Sequence, residues 1–280
     1  MNEFSDLQTG ATAVLYDTTT LLNDMGVKYI IVGGWSPFLL NSDPIPHPGT
    51  KDVDVLFDRA YEKGTLSEII REFLKHGFLL SAKHDFQLFK SVVVAGNPFI
   101  YNVDLLHPLE TIKPKDIYVE HIDLGIPADK YLSETFKMKS IALPSSQSLF
   151  DYNIITKYSL EEPGSDRQRR YQEIPLMSEL GTLITKSRSV FETKRYRDSL
   201  DIYLAIKQCR DYNLLISTTN LLRRTNVNTF NTLYDIKKAY DEEKLFSNTL
   251  RFISHLEKDE FNGTFENFFI NAGLNLPATN

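Results

Sequence analysis

The chain has 280 residues, enough for one large domain or two moderate ones. Its 42% hydrophobic and 24% charged content is that of a soluble globular protein, and its net charge of −6 argues against a protein that coats nucleic acid indiscriminately. No run reaches the roughly 18 apolar residues of a membrane span. MNEFSDLQTG lacks the basic and apolar regions of a signal peptide, and a lone Cys209 forms no internal disulfide, so the expected compartment is the reducing cytoplasm.

In chain order, apolar positions at helical spacing (Ala13, Val14, Leu21, Leu22, Met25) predict a helix over 8–26 that stops at Gly26. VKYIIVG predicts a buried strand, WSPFLL a short helix after the glycine pair, and VDVLF a second strand. Residues 63–76 are amphipathic and close at Gly77. FLLSA, DFQLFKSVVVA and FIYNVDLLHP follow as β-rich segments, with AGNP as the turn between the last two. After about residue 130 helical patterns take over, and 160–173, polar and holding Pro163 and Gly164, predict a loop. Helices are expected over 177–194, 196–211, 214–224, 229–256 and 265–272. The expected organisation is an α+β protein: a mixed sheet flanked by helices over 1–130, then a helical domain over 131–280 that completes the active-site cleft.

Asp52 and Asp54 stand at i and i+2 of a strand-like run, so their side chains share a face. Like charges that close repel unless something neutralises them, and Mg²⁺ suits carboxylate oxygens, waters and phosphates. Asp104, in the β-like IYNVDLLH, is a third acid that a neighbouring strand can bring beside the pair. Three carboxylates on adjacent strands are what two-metal phosphoryl transfer requires. Gly33 and Gly34, lacking Cβ atoms, allow close approach of a phosphate at the start of a helix, and Ser36 adds a hydroxyl. Taken singly, the glycine pair reads as a tight turn, the D-x-D as a solvated strand edge and Asp104 as a turn cap. Their order together is what points to phosphoryl chemistry.

That order, strand, GG, short helix, D-x-D strand, later strand Asp, resembles the polymerase-β type of nucleotidyltransferase. VGGWSPFLL…GTKDVDVLF is particularly similar to the minimal, AbiEii-like nucleotidyltransferases, which include toxins of type IV toxin–antitoxin systems; Thr50, Asp52 and Asp54 fall on their T-x-D-x-D pattern. LITKSRSVFETKRYRDSLDIYLAI resembles the family's second signature through Lys186, Arg197, Asp198 and Asp201. The resemblance covers about residues 28–206. It departs from the family in the longer stretch NSDPIPHP and in the absence of a basic residue before the T-x-D segment.

The resemblance implies a Mg²⁺-dependent enzyme, with two ions held by Asp52, Asp54 and Asp104. It implies a nucleoside triphosphate held by Gly33, Gly34, Ser36, Thr50, Lys186, Arg197, Asp198 and Asp201, and catalysis by Asp52, Asp54, Asp104 and Lys186. Asp198 and Asp201, at i and i+3, would orient Lys186 or Arg197. The acceptor hydroxyl would belong to RNA (a tRNA 3′ end among the options), a protein or a small molecule such as an aminoglycoside, and an antitoxin partner is possible. A non-catalytic nucleotide-binding module of the same fold is the alternative. The six histidines lack zinc-ligand spacing and read as ordinary, His47 and His107 included.

Overall fold

The computed structural model describes residues 3–58, 65–81, 84, 86–109, 119–123, 135–164 and 169–275. Its elements run β1 (Glu3–Phe4), α1 (Leu7–Asp24), β2 (Tyr29–Val32), α2 (Trp35–Leu40), β3 (Val53–Phe57), α3 (Thr65–Lys75), β4 (Leu79–Leu80), β5 (Gln87–Val94) and β6 (Asn97–Leu109). Then come β7 (Val119–Asp123), β8 (Thr135–Lys139), β9 (Ile141–Pro144), α4 (Gln147–Asp151), β10 (Ile155–Glu161) and β11 (Tyr171–Met177). Six helices close the order: α5 (Glu179–Lys186), α6 (Tyr196–Lys207), α7 (Tyr212–Thr225), α8 (Val227–Asp241), α9 (Lys244–Thr249) and α10 (Lys258–Ala272).

The chain divides into two compact units. The first comprises Met1–Gly33, Thr50–Gln147 and Lys157–Leu176; the second comprises Gly34–Gly49, Ser148–Thr156 and Met177–Asn280. The division falls between the two glycines of the GG pair.

The first unit holds a mixed sheet of order β1-β5-β6-β3-β2-β11-β10, with β4 added beside β5 and β9 beside β6. Pairing alternates in sense: β3 is antiparallel to β2 and parallel to β6, and β6 is antiparallel to β5. The β5–β6 hairpin turns at Ala95–Gly96, both with positive φ. Helix α1 begins where the Asp6 carboxylate accepts the Thr9 N–H at 2.8 Å and ends before Gly26 at φ +65°. Its apolar stripe, Ala11, Val14, Leu15 and Leu22, is buried, and the helix packs on β5, β6 and α3. In β3, Val53 and Val55 are fully buried and anchor the strand in the core.

Three expectations are corrected. The loop expected over 160–173 is shorter: β10 and β11, which extend the sheet beyond β2, take its ends at 160–161 and 171–173, and Pro163–Gly164 form a turn between them. The signal was weak because strands with one exposed face, the edge strand β10 and its neighbour β11, tolerate charged residues such as Lys157, Glu161 and Glu173. Strands β8 to β11 also lie beyond residue 130, where the sequence leads one to expect helix. The helix expected over 229–256 is two, α8 and α9, broken at Glu243, whose φ of +54° no helix continues through.

The second unit is helical around α6. Leu200, Ile202, Tyr203 and Leu204 are buried, and Phe261, Phe265 and Phe269 of α10 form an aromatic cluster with Tyr203 and Tyr240. Helix α2 packs on α5 and α6.

Candidate active site

The register of β3 on β6 decides the geometry of the acids. Asp54 is the direct partner of Asp104, and Val53 that of Val103. Directly paired residues of neighbouring strands present their side chains on one face. Asp52, two residues before Asp54, shares that face, and the apolar Val53, Val55, Val103 and Leu105 take the other, all fully buried. The three acids that the sequence singles out are thus brought to one face of two adjacent strands.

Each carboxylate on this face has its own neighbour. Asn102 Nδ2 donates to Asp52 Oδ1 at 3.1 Å, and Gln87 Nε2 donates to Asp104 Oδ1 at 2.7 Å. Gln87 is the register partner of Asp104 across the hairpin. Sequence reasoning missed both amides, which nothing marks until the strand register sets them beside the acids. Burial raises the Asp104 pKa, and the negative charge of Asp52 adds to that, against the opposing pull of the Gln87 hydrogen bond and of His84. The Asp54 carboxylate lies against Gly33. That glycine has φ +72°, and a Cβ built on it would overlap Asp54 Oδ2. Gly33 is therefore required twice over, for its left-handed backbone and for the space its missing side chain leaves to Asp54.

The donor types and the shared face suit a hard divalent cation. Among the described residues, no group of three or more His, Cys, Asp or Glu stands preformed as a metal site, so a cation would have to draw these carboxylates together from the amides that hold them.

The other expected site residues belong to the second unit, except Thr50. Thr50 is buried, and its backbone N–H donates to Gln8 Oε1 at 3.1 Å. Gly34 caps α2 in a right-handed conformation, and Ser36 is fully buried one residue into the helix. Lys186, at the end of α5, does not present an exposed ammonium. Its Nζ lies 2.7 Å from Asp198 Oδ1 and 2.7 Å from Asp201 Oδ2, and all three side chains are buried. The first contact is an aligned hydrogen bond; the second is an ion pair without that alignment. Burial works to lower the Lys186 pKa, but the charges of Asp201 and Asp198 outweigh it and hold the group above its ordinary value. Burial likewise works to raise Asp201, and Lys186 and His47 together hold it below. The spacing of Asp198 and Asp201 does orient Lys186, as the sequence leads one to expect.

His47 is not an ordinary histidine. Its Nδ1 accepts the Gly49 N–H at 3.1 Å, so Nε2 carries the hydrogen that it gives to Asp201 Oδ1 at 2.9 Å. Ser189 completes the network by donating to Asp198 Oδ2 at 2.5 Å. Arg197, expected at the nucleotide, instead donates from Nη1 to Gly49 O at 3.0 Å. Gln208 donates to Asn41 O and to Ile45 O and accepts the Ile45 N–H. Positions 197 and 201 of α6 and 208, its C-cap, follow one side of the helix (i, i+4, i+11). Together they hold segment 41–49, which contains the longer stretch 41–48 noted in the sequence, as a strap along the helix.

No family model matches the chain, and no curated protein matches it. Among solved structures it is similar to an antigenic nucleotidyltransferase-like protein from Paracoccidioides brasiliensis, with 18% identity and a TM-score of 0.35 over 83% of this chain and 94% of that one. No described helix is long and apolar enough to cross a membrane.

Proposed function

We propose that this chain is a Mg²⁺-dependent nucleotidyltransferase that moves a nucleoside monophosphate from a nucleoside triphosphate to an acceptor hydroxyl. The observation that carries the reading is the register of Asp54 on Asp104, with Asp52 on the same face. The motif resemblance to AbiEii-like enzymes supports it and suggests a toxin or defence role.

In this reading Asp52, Asp54 and Asp104 would hold the metal, which when bound supplies charge neutralisation and an ordered triphosphate. Gly33 keeps backbone close beside the Asp54 carboxylate. Gln87 fixes the rotation of Asp104 by holding Oδ1. Asp104 takes the proton of the acceptor hydroxyl onto its carboxylate. Burial has raised its proton affinity, which suits a base working closer to neutral pH. The acceptor oxygen bonds to the α-phosphorus, the bond to the bridging oxygen breaks, and pyrophosphate leaves. Lys186, doubly paired and buried, secures α5 to α6.

The separate donors of the carboxylates favour one alternative, a nucleotide-binding module of the same fold without catalysis. One experiment separates the two. The purified protein is incubated with each α-labelled triphosphate, Mg²⁺ and total RNA, then with an aminoglycoside in place of RNA, and the series is repeated with Asp54→Asn. Label transferred by the wild type alone supports the enzyme, and the fraction that carries it identifies the acceptor. Mg²⁺-dependent triphosphate binding without transfer supports the module. Neither binding nor transfer overturns both.

A further inference from the structure

The second unit contains a cleft of about 500 Å³, within the roughly 300–1,000 Å³ typical of small-molecule sites. The link from α4 into β10 forms one wall and the first turn of α5 another. The turn between α6 and α7, with the start of α7, forms the third. Ile154, Leu180 and Leu215 are buried and make these walls apolar, and Leu214 stands exposed at the rim.

Glu179, the first residue of α5, lines this cleft and is only 8% exposed. Its Oε1 accepts the Arg210 N–H at 3.2 Å. No cation among the described residues pairs with it. The other acids buried in this unit are held differently: Asp198 and Asp201 share the Lys186 ammonium. The positive end of the α5 dipole offsets part of the Glu179 charge, but an acid left in water gains the same without losing its hydration. A buried carboxylate with no cation beside it is thus a feature that folding alone does not favour. The other charges of the cleft do not supply the missing cation. Arg210 is exposed and gives Glu179 only its backbone N–H, and Asp211 is a second acid, which caps α7 by accepting the Leu214 N–H at 2.9 Å.

From the buried carboxylate and the apolar walls around it, we propose that the cleft binds a primary ammonium carrying an apolar body of amino-acid size. The ammonium pairs with Glu179, the body packs on Ile154, Leu180 and Leu215, and the Arg210 guanidinium receives a carboxylate where the ligand has one. A free apolar amino acid and the first residue of a peptide share this chemistry. An anion would meet two carboxylates against one guanidinium. An inorganic cation would gain nothing from the apolar walls, and a neutral apolar ligand would leave Glu179 buried without a counter-charge. The inference goes beyond the transfer reaction and does not rest on it.

The test is isothermal titration calorimetry of the full chain with leucinamide, leucine, N-acetyl-leucine and glycinamide, without triphosphate or Mg²⁺. Leucinamide is expected to bind. N-acetyl-leucine, which lacks the ammonium, and glycinamide, which lacks the apolar body, are expected to bind at least about tenfold more weakly. Glu179→Gln keeps an acceptor for the Arg210 N–H and removes the charge, and it is expected to weaken leucinamide by at least about tenfold. Leu214→Ala, at an exposed position, is expected to weaken leucinamide several-fold, and it takes over as the test variant if circular dichroism shows that Glu179→Gln does not fold. Arg210→Gln separates the two sources of the ligand. It weakens leucine several-fold and spares leucinamide if a free amino acid is bound, whereas leucine no tighter than leucinamide, and insensitive to this change, marks a peptide N-terminus. The proposal is overturned if neither leucinamide nor leucine binds, if N-acetyl-leucine binds as tightly as leucinamide, or if folded Glu179→Gln keeps the wild-type affinity.

Discussion

Replacing Lys186 by Met would leave Asp198 and Asp201 buried without their cation. The three side chains are 9%, 6% and 0% exposed, and both Nζ–oxygen distances are 2.7 Å. At an effective dielectric constant of about 20, each contact is worth roughly 6 kcal/mol of attraction, most of it offset by the desolvation of three charges. What the substitution exposes is the offset: removing one partner of a buried ion pair costs about 3–5 kcal/mol. That is a large share of the roughly 5–15 kcal/mol that holds a domain folded. The single tryptophan, Trp35, is fully buried in α2 and packs edge-on against Phe38, so its fluorescence reports unfolding of the second unit. Urea titration followed at that signal should show a much lower midpoint for Lys186→Met. Adding Asp198→Asn and Asp201→Asn should recover most of the loss, because the charges left stranded are then gone. Lys258, in the same unit, offers the control, 2.6 Å from Glu243 but with side chains 52% and 67% exposed. Lys258→Met should cost at most about 1 kcal/mol. If Lys186→Met and Lys258→Met shift the transition equally, burial is not what gives the network its strength.

The same network sets a pH window. Asp201, held below its ordinary 3.8, contributes stability above that value and loses it as pH falls through the lower folded value. Lys186, held above its ordinary 10.5, contributes below that value and loses it as pH rises through the higher folded one. Urea midpoints at Trp35 should therefore carry the full contribution of both groups, independent of pH, between about pH 4 and 10 and fall outside that range. Gly33→Ala pays about 1–2 kcal/mol for its left-handed φ and also displaces Asp54, whereas Gly26→Ala, at φ +65° with open space around it, pays only the first. Thermal melts of the two variants should differ by the overlap, and transfer activity should be lost only in Gly33→Ala. Gln87→Leu removes the donor that restrains Asp104, so the acid limb of the pH–activity profile should move to higher pH.

Much of the acid face was legible because strands have period two. Once Asp52 and Asp54 are read in a strand and Asp104 in another, only the pairing register remains open, and the buried valines leave one that keeps all three acids out of the core. Gln87 and Asn102 were not legible, since an amide in an alternating strand looks like any solvated residue until the register sets it opposite an acid. Helical spacing made Asp198 and Asp201 readable as partners of Lys186. It gave no hint that His47, 154 positions from Asp201, closes the network, because nothing local marks a histidine that a strap carries to a helix. The strap itself read as an insertion: its proline-rich sequence has no period, and its order comes from side chains at 197, 201 and 208. Strands β10 and β11 were obscured by the charges of their exposed face.

The claim on which most depends is that the face bearing Asp52, Asp54 and Asp104 breaks the bond between the α- and β-phosphates. It is tested most directly with one triphosphate labelled in parallel at the α- and the γ-phosphorus, in the presence of Mg²⁺ and RNA. Nucleotidyl transfer places the α-label in the acceptor and releases the γ-label as pyrophosphate, and Asp54→Asn does neither. Transfer of the γ-label to the acceptor, or retention of both labels in unchanged triphosphate, would contradict the account.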